Sequence, residues 1–293
     1  MLMRATPRPL VRALASPYIA GETRASAVAL AGTLFAERGL YSTIDVLGED
    51  IKERAEADGM LAEYLAILDD IGHAPHANIS VKLSALGQAI DPELCARHLE
   101  KLLQRAAARG QFVRFDMEDH TTTDSTLGLY RRFVTKYPGI GPVLQSRLHR
   151  TEQDVRDLAP LRPNVRLCIG IYNEPAEIAL TSKPEMKQRL LDLLEMMWAN
   201  GQYVGIATHD EAVLRKAMTL AGKMGKTPRD YEVQMLLGVP RTRIQNEIRS
   251  QGVKVRLYVP YGEQWYKYCL RRLDGNPEMA RMVVGNLFAR RGA

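Results

Sequence analysis

Residues 92–117, PELCARHLEKLLQRAAARGQFVRFDM, contain one complete step of a repeating pattern. The spacing predicts a helix over 92–110, stopped by Gly110, which lacks a Cβ and can leave a helix at little cost. A β-rich run, FVRFDM (112–117), follows at once and carries Asp116 near its end. Helix, glycine and strand in direct succession are the signature of a parallel α/β unit.

The same alternation runs outward in both directions. Further strand candidates are TIDVLG (43–48), NISVKLS (78–84), PVLQSRL (142–148), VRLCIG (165–170), YVGIATHD (203–210), YEVQMLLG (231–238) and VRLYVPYG (255–262). Helical stretches such as PEMKQRLLDLLEMMWAN (184–200) lie between them. Eight strands in alternation predict an α/β fold, a (β/α)8 barrel of TIM type over 41–293, after a helical N-terminal segment over 1–40. The competing doubly wound sheet lacks its G-x-G-x-x-G at any strand–helix turn. Most of the runs carry a polar residue near the C-terminal end: Asp45, Lys82, Asp116, Gln145, Arg166, Thr208 with His209, Gln234 and Tyr258. In a barrel those ends converge on one face, where active sites sit.

Composition narrows the function classes. The chain has 293 residues, 46% of them hydrophobic, and a net charge of +6. The basic excess is spread out, with no run of five or six, so nucleic acid is not an expected partner. Cys95, Cys168 and Cys269 are far apart and form no CxxC, which excludes a disulfide framework and a zinc ribbon and fits a reducing, cytoplasmic setting. No stretch approaches the roughly 18 apolar residues of a membrane span. The opening MLMRATPRPLVRALASPYIAG is basic; Pro7 and Pro9 argue against a long amphipathic targeting helix, and a basic first helix is the expectation.

Several chemistries compete. In VRFDMEDHTTTD (113–124), Asp116, Glu118, Asp119, His120 and Asp124 offer ligands for a hard cation, and Asp116, Glu118 and His120 would serve a metal-dependent lyase or hydrolase. Strand alternation, however, separates Asp116 and Glu118 from Met117 and Asp119, and the cations Lys82 and Arg166 disfavour a third. No metal is therefore expected, and Glu118, Asp119 and Asp124 are read as ion-paired or solvated neighbours. His73 and His76 flank Pro75 and read as a loop pair, while AGKMGKTP (221–228) fails as a phosphate loop because Leu220 stands where a glycine is required. Near the C-terminus, in VRLYVPYGEQWYKYCLRRLDGNPE (255–278), Tyr268, Arg271 and Arg272 fall at i, i+3 and i+4. Two adjacent guanidiniums beside a tyrosine suit a carboxylate, although an exposed basic helix end is the plain alternative.

TIDVLGE, SVKLSALG, RFDMED, RLCIGIYNEPAEIA, IATHD, YEVQMLLG and RLYVPYGEQWYKYCLRRL together, spanning residues 43–273 in order, resemble the proline dehydrogenase family in its monofunctional bacterial form. The resemblance implies a distorted (β/α)8 barrel holding FAD at the C-terminal strand ends. It also implies oxidation of L-proline to 1-pyrroline-5-carboxylate by hydride transfer to flavin N5, with a quinone acceptor and peripheral membrane contact at most. By the same resemblance, Lys82, Arg271 and Arg272 bind the substrate carboxylate, and Tyr172, Leu236, Tyr258 and Tyr268 wall the proline ring. Asp116 sits beside Lys82 and Tyr258, and Arg166 supplies the positive group near the flavin. Met117, Gln145, Arg166, Ile169, Gly170, Ile171, Thr208, His209 and Gln234 hold the cofactor. Three departures stand out: Ile169 replaces a lysine, Ile171 replaces a small alanine and would crowd the pocket, and Gly275 replaces a glutamate. They leave the choice among cyclic imino acids, hydroxyproline included, open.

Overall fold

The computed structural model describes residues 16–49, 51–266 and 268. Eight parallel strands close into a barrel in sequence order: β1 (Tyr41–Val46), β2 (Ala77–Val81), β3 (Val113–Phe115), β4 (Ile140–Gln145), β5 (Asn164–Cys168), β6 (Tyr203–Ala207), β7 (Tyr231–Leu236) and β8 (Lys254–Tyr261). The seam between β1 and β8 is paired like the rest, with Tyr41 opposite Arg256 and Val46 opposite Tyr261. Helix α1 (Arg24–Arg38) precedes the barrel and packs over this seam. The helices α2 (Arg54–Ile71), α3 (Pro92–Ala108), α4 (Thr123–Val134), α5 (Thr151–Leu158), α6 (Lys183–Ala199), α7 (Glu211–Lys223) and α8 (Thr242–Ser250) connect successive strands. The basic stretch before Ser16 lies outside the described residues.

Local chemistry sets the element ends. In α3, the Asp91 side chain accepts from the Glu93 N–H at 2.9 Å, and Pro92 occupies the first turn, where its missing donor costs nothing. Its apolar stripe of Cys95, Leu99, Leu102, Leu103 and Ala106 is buried against the barrel. Gly110, at φ 62°, ends the unit as its sequence predicts. All eight expected strands form, but most stop short of their apolar runs. β3 has only three residues, and the Asp116 N–H makes the last bond to β2, to the Val81 carbonyl at 2.9 Å. Beyond it the chain turns into the mouth.

The core lies outside the barrel wall. Ile44, Ile79, Val113, Phe115, Val165, Leu167, Val204, Ile206, Val233, Val255 and Leu257 pack in one cluster with the helices. Alternate residues on the same strands fill the interior, and these are polar. At the lower level Arg114 donates to the Asn164 side chain at 2.6 Å and to the carbonyls of Asn164 and Pro142 at 2.5 and 3.1 Å. Arg256 pairs with Glu232 at 2.7 and 3.2 Å and donates to the Ser42 carbonyl at 2.9 Å. A Cβ at Gly205 would lie 2.4 Å from Gln234 Nε2, so β6 makes room for a side chain crossing from β7. Buried charges are tolerated here because each finds a partner.

Candidate active site

Above this floor, at the C-terminal ends of the strands, the side chains form one connected cluster. Asp116, just past β3, is its hub. Its Oδ1 accepts from Ser80 Oγ at 2.6 Å and from Arg166 Nη1 at 2.7 Å, and its Oδ2 accepts from the Tyr258 hydroxyl at 2.7 Å. Arg166, 7% exposed on β5, also donates through Nε to Gln234 Oε1 at 2.5 Å, and its guanidinium lies 5.2 Å from the Tyr258 ring centroid. Burial alone would push the Asp116 carboxyl up; Arg166 and Lys82 outweigh it and hold its pKa below the usual value.

Lys82 follows β2 and donates to Asp45 Oδ1 at 2.7 Å. Burial works against its charge, but the Asp45 and Asp116 carboxylates overcome this and raise its pKa. Asp45 behaves oppositely: its complete burial, only partly offset by Lys82, pushes its pKa up. Sequence reading places Lys82 beside Asp116; the direct hydrogen bond goes to Asp45 instead.

A second group surrounds Gln145 at the end of β4. Its Nε2 donates to the Glu118 carbonyl at 2.8 Å, while its buried Oε1 has no hydrogen-bond partner among the described residues. Gly170, at φ +102°, lies against that oxygen, and a Cβ there would stand 2.2 Å from it. An unmatched buried acceptor under a side-chain-free turn is a place where a flat, hydrogen-bonding ligand fits. His209 Nε2 accepts from the Leu236 N–H at 3.0 Å, and Thr208 Oγ1 accepts from the Asp210 N–H at 3.2 Å. Ile169 is half-buried against the core, whereas Ile171 is 55% exposed. The half-buried Tyr172 gives its carbonyl to Arg147, and Leu236, also half-buried, ends β7. Met117, just past β3, is buried and belongs to the core cluster. Tyr268 packs with Leu47 and Trp265 over the end of β1. Arg271, Arg272 and Gly275 lie outside the described residues.

The acidic run divides among separate partners. Glu118 is buried and accepts from Ser84 Oγ at 2.6 Å and Ser84 N at 3.2 Å, fixing the turn after Lys82. Its sequence context suggests an ion-paired or solvated acid; among the described residues it is buried and without an ion-pair partner, a difference that local sequence does not record. Burial raises its pKa. Asp119 instead caps the short turn His120–Thr122, Asp124 pairs with Arg150 at 2.6 Å, and His120 bonds Glu174. Among the described residues no three His, Cys, Asp or Glu side chains converge on a metal-sized point. Sequence reasoning missed Ser80 as part of the cluster, and Arg114, Glu232 and Arg256 as its floor. The available signal was their two-residue spacing from Lys82, Asp116, Gln234 and Tyr258.

Comparison with known proteins agrees with this picture. The family model described as proline dehydrogenase matches residues 32–171 and 172–284. Proline dehydrogenase 1 of Bacillus subtilis is 32% identical over 268 residues, 91% of this chain and 88% of that protein. Proline dehydrogenase of Deinococcus radiodurans is 35% identical over 280 residues, 92% of this chain and 89% of that protein. Among solved structures, proline utilization A from Bdellovibrio bacteriovorus, inactivated by N-propargylglycine, superposes with a TM-score of 0.82 at 23% identity over 91% of this chain. The homologue from Corynebacterium freiburgense gives 0.77 at 22% identity over 93%. The chain spans about a third of each of those two longer proteins, 33% and 32%, and at such identity they speak for the fold.

Proposed function

The chain belongs to the proline dehydrogenase family and is an enzyme of proline oxidation, and from that premise we propose that it converts L-proline to 1-pyrroline-5-carboxylate with FAD bound at the barrel mouth and a quinone as electron acceptor. The observation that carries this reading is the buried Asp116–Arg166–Tyr258 cluster with Lys82 beside it, all at the C-terminal strand ends. Gln145, Arg166, Gln234, Thr208 and His209, with Met117 and the turn Ile169 to Ile171, would hold the cofactor; the unmatched Gln145 oxygen and the open face at Gly170 fit it. FAD, when bound, supplies the acceptor for the hydride lost from the ring carbon next to nitrogen.

The protein's own residues bind and orient. Lys82, raised in pKa by its carboxylate neighbours, stays charged and grips the substrate carboxylate, joined by Arg271 and Arg272. Tyr258, held by Asp116, walls the ring together with Tyr172, Leu236 and Tyr268. The substrate's secondary ammonium must lose a proton before hydride can leave; cations near the nitrogen would lower its pKa, and fixed carboxylates would raise it. Asp116 stays ionised and keeps Arg166 fixed, which fits Arg166 as the positive group beside the cofactor. We place the enzyme in the cytoplasm with peripheral contact to the quinone-bearing surface; no helix among the described residues is long and apolar enough to cross a membrane.

The test is the visible absorption spectrum of the purified, FAD-supplemented protein before and after anaerobic addition of L-proline. Bleaching with matching formation of 1-pyrroline-5-carboxylate is expected. A protein that takes up no FAD, or whose flavin proline leaves oxidised, would overturn the proposal; bleaching by hydroxyproline in place of proline would redirect its substrate.

A further inference from the structure

Asp45 has no place in the roles assigned so far, yet it is the most enclosed carboxylate at the mouth. It is 0% exposed, its Oδ1 accepts from Lys82 Nζ at 2.7 Å, and among the described residues its Oδ2 has no hydrogen-bond partner. A carboxylate left half-satisfied in a barrel interior is costly, so the retained pairing needs a reason. Among the described residues Asp45 is the sole hydrogen-bond partner of the Lys82 ammonium. Two of its three N–H donors therefore remain for a ligand. We propose that Asp45 is the positioning residue for the substrate carboxylate: it anchors Lys82 at one N–H, keeps that ammonium protonated in a dry site, and leaves the other two to the ligand.

This inference rests on the reading that Lys82 binds the carboxylate. The groups that bear on Lys82 come from several elements: Asp45 from β1 and Glu49 after it, Asp116 and Glu118 after β3, and the Tyr64 hydroxyl from α2. Tyr258 of β8 faces the two aspartates. Asp45 is the one of these that touches the ammonium. Its loss exposes Lys82 to the full effect of burial, with only the more distant carboxylates opposing it. The Lys82 pKa then falls, and the site loses its cation at a lower pH.

The probe is cyclopentanecarboxylate, a ring carboxylate with no titratable nitrogen, bound to the FAD-loaded enzyme and followed by calorimetry from neutral to alkaline pH. In the native enzyme deprotonation of Lys82, whose pKa lies above its ordinary value, weakens binding at alkaline pH. Lys82→Met is expected to weaken it roughly tenfold or more at neutral pH and to abolish the alkaline loss. Asp45→Asn is expected to move the alkaline loss down by about one pH unit or more. In a Lys82→Met background, Asp45→Asn is expected to change affinity by less than about twofold. If Lys82→Met binds the probe as well as the native enzyme, the carboxylate reading itself fails. If Lys82→Met weakens binding but Asp45→Asn leaves the alkaline loss in place, the role of Asp45 fails alone. Should Asp45→Asn not fold, rescue of folding by Lys82→Met supports action through the lysine, and failure of both variants overturns it.

Discussion

Replacing Asp116 by asparagine removes one charge from the centre of the mouth and almost no volume. The carboxylate receives hydrogen bonds from Arg166, Ser80 and Tyr258, at 2.7, 2.6 and 2.7 Å. Asparagine can still accept from Arg166 and Ser80 through its oxygen. Its amide then faces the Tyr258 hydroxyl, which must turn from donor to acceptor. The larger loss is electrostatic, because the Arg166 side chain is only 9% exposed and keeps its charge without a counter-ion. Removing one partner of a buried pair typically costs about 3–5 kcal/mol. For a chain of this length 1 kcal/mol corresponds to about 2 °C in Tm, so a fall of about 6–10 °C is expected. Thermal unfolding followed by far-UV circular dichroism reads this directly. The double variant Asp116→Asn with Arg166→Met should recover part of the loss, since it no longer buries an unpaired charge. A single variant melting within about 1 °C of the native chain would refute the argument, whatever happens to activity.

Two further outcomes follow from the same geometry. Asp116 has a folded-state pKa below its unfolded value, so its contribution to stability is complete above about pH 4 and is lost as pH falls through the folded pKa. Tm should therefore drop more steeply below pH 4 in the native protein than in Asp116→Asn, and parallel acid profiles would contradict the assignment. Gly170→Ala puts a Cβ 2.2 Å from Gln145 Oε1 at a φ of +102°, which should cost about 1–3 kcal/mol in the turn and weaken FAD binding by about tenfold or more, measured by flavin fluorescence titration. Unchanged FAD affinity in that variant would remove Gly170 from the cofactor site.

The eight strands and the face that carries the site were legible in the sequence because both depend on local periodicity. A strand's two-residue alternation places Arg114 and Asp116, or Gln234 and Leu236, on one side whatever the rest of the chain does. Gly110 ends its helix through its own backbone freedom, and Leu94, Leu99 and Leu103 mark the buried stripe by spacing alone. The strand limits were read too far along because polar residues at the ends bend into the mouth, and a local pattern does not record where ladder bonding ceases. Partnership was not legible at all. Asp116 meets groups 36, 50 and 142 residues away, and Lys82 is paired with an aspartate 37 residues earlier. Those choices depend on closure of β1 against β8 and on the register that brings each strand end level with the next. Likewise, the sequence presents Glu118 as one acid in a polar run, and only the fold covers it and turns Ser84 onto it. The sequence by itself determined which side chains share a face, since that is a property of each strand. The tertiary structure decided which of them carry charge together, because burial and neighbouring charges exist only once the barrel has closed.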